Sequence, residues 1–298
     1  MDDAHVPGLH PWVSWAASSS VMEEASVSRP SVTTSLRDSV ALVTVDDGAQ
    51  NTLTRQLVDA LSASLIEVQD QAKAIVVAGR PGYHSVGLDF ETLRSRGGEA
   101  SDLLHAGIEL YLRALECPRP IVLACTGHSL GVAAASLLCY DVRIGAAGDF
   151  KIGMDWVSHG VAVPKLVIEL ARARLSPRHF VMACSFSQLY SPAEAVEVGY
   201  LDYVTTGDVV EQAYEVAADL AERLDSRTFA ATRTATCRNL KDTIIQTAGD
   251  LWQLKRVAHQ DGWGGGGGPG APAGGGGGGG GTNPPPPPGG TEDTREPR

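Results

Sequence analysis

The chain is short of several things, and each shortage closes off a class of function. No apolar run approaches the roughly 18–20 residues that a membrane-spanning helix needs, so no span is expected. Lysine and arginine total 24 against 35 aspartates and glutamates, a formal net charge of −11, and the arginines are scattered. Nucleic-acid binding, which needs a basic patch, is therefore not expected. The five cysteines, Cys117, Cys125, Cys139, Cys184 and Cys237, are odd in number and form no Cys-x-x-Cys pair. Neither a disulfide framework nor a metal site is expected from them. They read as buried free thiols of a reducing compartment, and no basic-then-apolar leader opens the chain, so a cytoplasmic location is the expectation.

What is present is unevenly distributed. Residues 1–34 are polar, Ser-rich and without period, and read as a disordered leader. From 262 to 298 the chain turns to glycine runs and then a proline run at 284–288, which cannot build a core. That tail reads as a passive extension; the functional alternative is a ligand for an SH3- or WW-type domain. Between them, residues 35–205 read as an α/β core and 206–261 as a helical C-terminal region. A folded part of about 220 residues suits one domain.

Periodicity places the elements. Residues 39–45 alternate as a strand, and Leu57, Leu61, Leu65 and Val68 mark a helix over 53–69. Residues 74–78 and 120–125 are short apolar strands. Gly127 to Gly131 reads as a tight turn, 132–140 as a buried helix and 141–144 as the next strand. Helices are expected at 101–116, 165–174, 176–184, 208–224 and 228–259, with another opening at Ser191-Pro192.

Two strand ends therefore lead into glycine-containing loops, 79–89 and 127–131. Each loop could aim one backbone N–H at a single carbonyl oxygen, the arrangement of an oxyanion hole; amides at the start of the following helix would favour a negative oxygen. Spacing alone leaves two ordinary strand–helix turns as the other reading.

Three segments, 73–89, 117–164 and Pro192-Ala193-Glu194-Ala195-Val196-Glu197-Val198-Gly199-Tyr200-Leu201-Asp202-Tyr203-Val204, together resemble the crotonase (enoyl-CoA hydratase/isomerase) superfamily, over roughly residues 35 to 257. The resemblance implies an α/β fold, a spiral of repeated ββα units with C-terminal helices. It implies a homotrimer or hexamer acting on an acyl-CoA thioester, with coenzyme A as part of the substrate and no other cofactor. It assigns the two amide donors to Val86 and Val132, and lines the pocket with Ser85, Gly87, Gly131, Ala135 and Trp156. It also places Asn51 near the adenine end of coenzyme A, although a turn-capping role fits that side chain, and makes Asp89 a brace for the loop.

The chain departs from the family where the acids should be. Ala135 and Trp156 stand where hydratases of this family carry their two glutamates. The nearest substitutes are Asp155 and His159, either of which could act as a base; the alternatives are a loop carboxylate and a solvated histidine. If the segment is a strand, Asp155 faces away from Trp156. A triad can be drawn from Ser85, His159 and Asp155, but no Gly-x-Ser-x-Gly nucleophile elbow is expected to accompany it. His84 and His128 flank the glycine loops and read as structural. Three functions remain: an acyl-CoA-processing enzyme, a non-catalytic acyl-CoA binder, and an interaction protein working through its tail. Because glycine and proline runs bury little apolar surface, deleting residues 262–298 should leave the thermal midpoint unchanged within about a degree. A drop of many degrees in a melting curve would show that the tail packs on the core.

Overall fold

Ala74–Ala78 and Ile121–Cys125 are apolar at every position, as strands covered on both faces must be. In the computed structural model, which describes residues 31–95 and 97–248, both lie in the middle of a six-stranded sheet. In chain order the elements are β1 (Val32–Arg37), β2 (Val40–Val45), β3 (Thr52–Leu53), α1 (Arg55–Gln69), β4 (Ala74–Ala78), β5 (Gly82–Ser85), β6 (Gly87–Leu88), α2 (Phe90–Ser95) and α3 (Gly98–Glu116). They continue with β7 (Ile121–Cys125), β8 (Gly127–Leu130), α4 (Val132–Leu137), β9 (Val142–Ala146), β10 (Ile152–Gly153), a 3-10 turn (Val157–His159), α5 (Lys165–Arg174), α6 (Phe180–Ser185), α7 (Pro192–Val198), β11 (Tyr203–Thr205), α8 (Val209–Arg223) and α9 (Ser226–Ala248).

The large sheet runs β1-β2-β4-β7-β9-β11; β1 pairs antiparallel with β2 and the other neighbours are parallel. A three-stranded parallel sheet, β10-β8-β5, and a parallel pair, β3-β6, carry the loops. This is the expected α/β architecture of strand–strand–helix units followed by helices. Alternation along each central strand sorts the core. Ala74, Val76, Ala78, Val122 and Ala124 face α8, which lays its small residues Ala213, Ala217 and Ala221 against them. Ile75, Val77, Ile121 and Leu123 face the main core with α1 and α3.

The structure moves several boundaries. Residues 32–34, placed in the leader, belong to β1; the strand is an exposed edge of Thr and Ser, so no buried alternation announces it. Gly127–Leu130 is a strand, not a turn, because it pairs on both sides with β5 and β10. The loop 79–89 likewise contains β5 and β6. The helix expected over 132–140 stops at Leu137, and Ser176-Pro177 forms a turn ahead of α6 instead of its first turn. All five cysteines are free thiols; Cys237 is half-buried and the others are buried. The expected leader up to residue 30, the part of the expected last helix from 249 to 259 and the expected tail at 262–298 lie outside the described residues.

Two charged clamps fasten the C-terminal half to the sheet. Buried Arg143 on β9 donates to both carboxylate oxygens of Asp202, at 3.1 and 2.7 Å, and to Gly199 O at 2.7 Å. Asp141 accepts the Ile121 N–H at 2.7 Å and pairs with buried Arg233 of α9, which also donates to Cys117 O and Arg119 O. Removing Asp141 strands a buried guanidinium and a strand-end N–H. We expect Asp141→Ala to cost about 2–4 kcal/mol in urea unfolding; an unchanged midpoint would mean that α9 is held by apolar packing alone.

Candidate active site

The site is assembled by close backbone approach. A β-carbon built on Gly127 would lie 2.0 Å from the Gly82 carbonyl carbon and oxygen. Only glycine lets β8 run this near to β5. Gly79 is equally confined, its absent β-carbon falling 2.5 Å from Tyr83 O. The result brings Gly87 against the second loop: a β-carbon there would sit 3.0 Å from Leu130 O and 3.4 Å from Val132 N. The two glycine loops, 79–89 and 127–131, thus lie side by side, joined by the β5–β8 pairing and by the approach of Gly87 to Leu130 and Val132.

The amides differ from expectation. Val132 opens α4, its N–H lies ahead of the helix's own bonds, and no acceptor takes it among the described residues. The Val86 N–H is already committed, donating to Gln50 O at 3.2 Å. Gly87 N–H is committed too, to Ser85 Oγ at 3.0 Å, while that hydroxyl donates to Asn51 O at 2.7 Å. Asn51 is the brace for this loop. Its Nδ2 donates to Val45 O, Tyr83 O and His84 O, its Oδ1 accepts from Asp47 N–H, and its backbone takes a positive φ of 54°. Asp89 accepts from Glu91 N–H and Thr92 Oγ, holding the start of α2.

The third component follows β10. Gly131 N–H donates to Gly153 O at 3.0 Å, which lays residues 154–156 over the turn. Gly131 has φ +55°, and a β-carbon on it would meet Trp156 Nε1 at 3.2 Å and Asp155 Oδ1 at 3.4 Å. Both side chains therefore reach the same spot. The expectation that Asp155 faces away from Trp156 assumed a strand; Trp156 is in the helical region (φ −61°, ψ −41°) and leads into the 3-10 turn, so successive side chains are not opposed. Burial raises the Asp155 carboxyl above its usual range, with His159 pulling the other way. His159 is exposed, its Nδ1 2.8 Å from Asp155 O and 3.8 Å from Asp155 Oδ2.

The remaining candidates divide cleanly. Ala135 is fully buried in the core beneath the turn. His128 accepts from Lys151 N–H and packs between Tyr83 and Phe150, a structural role. Burial pushes the His84 imidazole down to about 4, so it stays neutral near pH 7. Ser85 is taken up with Asn51 and Gly87, far from forming a triad. Contrary to the expectation of no Gly-x-Ser-x-Gly motif, Gly127-His128-Ser129-Leu130-Gly131 has that form. It is no elbow, since Ser129 lies within β8, fully buried and hydrogen-bonded through its side chain to nothing described. Two surface concavities, of about 150 Å3 beside β1 and about 370 Å3 between α3 and α9, contain none of these residues.

Comparison with known proteins bears on the family and the fold. The family model described as enoyl-CoA hydratase/isomerase matches residues 35–261. A probable enoyl-CoA hydratase of Bacillus subtilis is 28% identical over 195 residues, 62% of this chain and 73% of that protein. The mouse mitochondrial enoyl-CoA delta isomerase 1 is 26% identical over 176 residues, 57% of this chain and 61% of that protein. Among solved structures, a probable enoyl-CoA hydratase from Mycobacterium tuberculosis superposes with a TM-score of 0.73 at 29% identity, covering 77% of this chain and 98% of its own. An enoyl-CoA hydratase/isomerase family protein from Pseudomonas syringae gives 0.72 at 30% identity, covering 75% and 97%.

A carboxyl held above its usual range costs stability wherever it is ionised, and the cost vanishes once both folded and unfolded forms are protonated. Asp155→Asn should therefore raise the thermal midpoint at pH 7. The gain should shrink to nothing as the pH falls through the ordinary carboxylate range, about pH 4. A gain of equal size at both ends of the range would contradict the burial of the charge.

Proposed function

The chain belongs to the enoyl-CoA hydratase/isomerase family, and we propose that it moves a proton on an acyl-CoA thioester through Asp155 instead of adding water to it. The observation that carries this is the Asp155 carboxylate standing over the Gly131 turn beside the free Val132 N–H. Adding water across a double bond calls for activation and delivery by a pair of acid–base groups. The two positions that the resemblance assigns to such a pair carry a buried alanine, Ala135, and the indole of Trp156.

A single carboxylate suffices for moving a double bond. Asp155 takes a proton from the carbon beside the double bond. The electrons of that C–H bond shift through the chain, and the carbonyl pair moves onto the thioester oxygen, which Val132 N–H holds. Asp155, now the acid, returns the proton to the other carbon, and the enolate collapses to the displaced alkene. No atom is gained or lost, and coenzyme A enters only as part of the substrate. A carboxyl raised by burial is a stronger base than an exposed one, which suits the task.

A second reading has one observation in its favour. The Val86 N–H, the donor assigned to this loop by the resemblance, is spent on Gln50 O, a loss that a non-catalytic acyl-CoA binder could tolerate. The test is the full-length protein with a 3-enoyl-CoA and, separately, crotonyl-CoA. We expect conversion to the 2-enoyl ester, lost about 100-fold or more in Asp155→Asn and changed only a few-fold in His159→Gln, with crotonyl-CoA hydration at background. Binding without conversion would select the second reading. Hydration as fast as isomerisation would overturn both.

A further inference from the structure

The segment that carries Asp155 is held from outside by a residue kept at a conformational cost. Trp156 stands at the N-cap of the 3-10 turn Val157–His159 and gives it no side-chain hydrogen bond. The first N–H groups of such a turn have no partner within it. One of them, Ser158 N–H, goes instead to Ser187 Oγ at 2.9 Å, 29 residues further along the chain. Ser187 follows α6 with a φ of +51°, a left-handed conformation that favours glycine. A glycine there would adopt that backbone more readily, but it could not reach Ser158. The turn is tied back to Asp155 as well. Ser158 Oγ donates to Asp155 O at 2.6 Å, and the same carbonyl lies 2.8 Å from His159 Nδ1. The stretch after Ser187 flanks the start of the segment. Ile152 and Tyr190 exchange two backbone hydrogen bonds of 2.9 Å, and a β-carbon on Gly153 would fall 2.7 Å from Gln188 O. Residues 152–158 thus run beside 187–190, with Asp155 and Trp156 between the two attachments.

We propose that Ser187 is a positioning residue for the Asp155 carboxylate in the proton transfer proposed above, on which this inference rests. It acts through Ser158 and touches no reacting atom. The pairing of Ile152 with Tyr190 fixes one end of the Asp155 segment, and the Ser187 hydroxyl fixes the other. Between them the carboxylate keeps its place over Gly131. A base that must reach first one carbon and then another depends on such restraint, since a displacement of about 1 Å can cost rate on the order of 100-fold. The cost of a serine in a left-handed conformation is offset by the hydrogen bond that its hydroxyl makes. Loss of that bond frees the turn and lets water reach the carboxylate. Burial is the main cause that raises the Asp155 carboxyl, and His159 on the same turn is the charged neighbour that opposes it. Exposure therefore lowers it.

Two variants separate the hydroxyl from the backbone. Ser187→Gly removes the acceptor and keeps the left-handed conformation, so it should melt close to the wild-type temperature. Ser187→Asn returns an acceptor on a residue that also tolerates a positive φ. The readouts are kcat and KM for a 3-enoyl-CoA across pH, and the titration of the Asp155 carboxyl by carbon-13 NMR, its signal identified by its loss in Asp155→Asn. In Ser187→Gly we expect kcat to fall about 10-fold with KM changed less than about 2-fold. The acidic limb of the kcat profile and the Asp155 titration should both move to lower pH, because a carboxyl that gains water ionises more easily. Ser187→Asn should bring all three back toward wild type. A Ser187→Gly protein that matches wild type, a loss of kcat with the Asp155 titration unmoved, or a loss that Ser187→Asn does not restore overturns this inference and leaves the Asp155 mechanism standing. A wild-type protein that converts no 3-enoyl-CoA overturns the Asp155 mechanism itself, and with it the catalytic use of the Ser187 contact, whatever the titration shows.

Discussion

The absence of a side chain at Gly131 is the constraint on which the rest of the site depends. Its φ of +55° is a conformation that favours glycine, and the space where a β-carbon would project is filled by Asp155 and Trp156. Its N–H reaches across to Gly153 O, so the same residue draws the 154–156 segment over itself. Its neighbours Leu130 and Val132 meet Gly87 from the other loop. One residue without a side chain thus joins three segments that are remote in sequence, 82–88, 127–132 and 153–156. The glycines at 79 and 127 repeat the device where β5 is pressed between its neighbours.

The parts of the fold that were legible in the sequence are those governed by short-range pattern. β4 and β7 announce themselves as uninterrupted apolar runs, and α5 by its amphipathic spacing, because burial on both faces or on one stripe leaves a direct mark on composition. β8 did not, since it is made of Gly, His, Ser and Leu and owes its extended form to partners on either side. β1 is an exposed edge with no buried face to betray it. The convergence of the two glycine loops was expected from the family resemblance and not from spacing alone; the commitment of the Val86 amide followed from neither. Whether the Val86 N–H is free depends on the position of Gln50 O, set by the β2–β3 connection and by no pattern near Val86 itself. The orientation of Asp155 failed for a similar reason. Its face follows from a helical backbone at Trp156, which no periodicity over so few residues could reveal.

Rigidity and cost are distributed around this centre in a consistent way. The loop 83–87 is tied down by Asn51, whose buried amide serves Asp47, Val45, Tyr83 and His84, so that residue is accounted for as a brace. α4 is only six residues long, shorter than its apolar composition suggested, and the site rests on individual donors more than on a helix dipole. Asp155 is a carboxyl placed against its own preference, in partial burial with exposed His159 beside it. A group kept at a cost to stability beside the free Val132 N–H is the arrangement on which the proposed proton transfer rests.

The most direct measurement is exchange of the protons next to the thioester carbonyl of a saturated acyl-CoA in heavy water, followed by mass spectrometry. A saturated ester can be neither hydrated nor isomerised, so only the capacity to remove and return a carbon-bound proton is read. Exchange catalysed by the wild-type protein and slowed about 100-fold or more by Asp155→Asn is the predicted result. Exchange that proceeds equally well without the Asp155 carboxylate, or its absence from a wild-type protein that holds the ester, would contradict the assignment of Asp155 as the base.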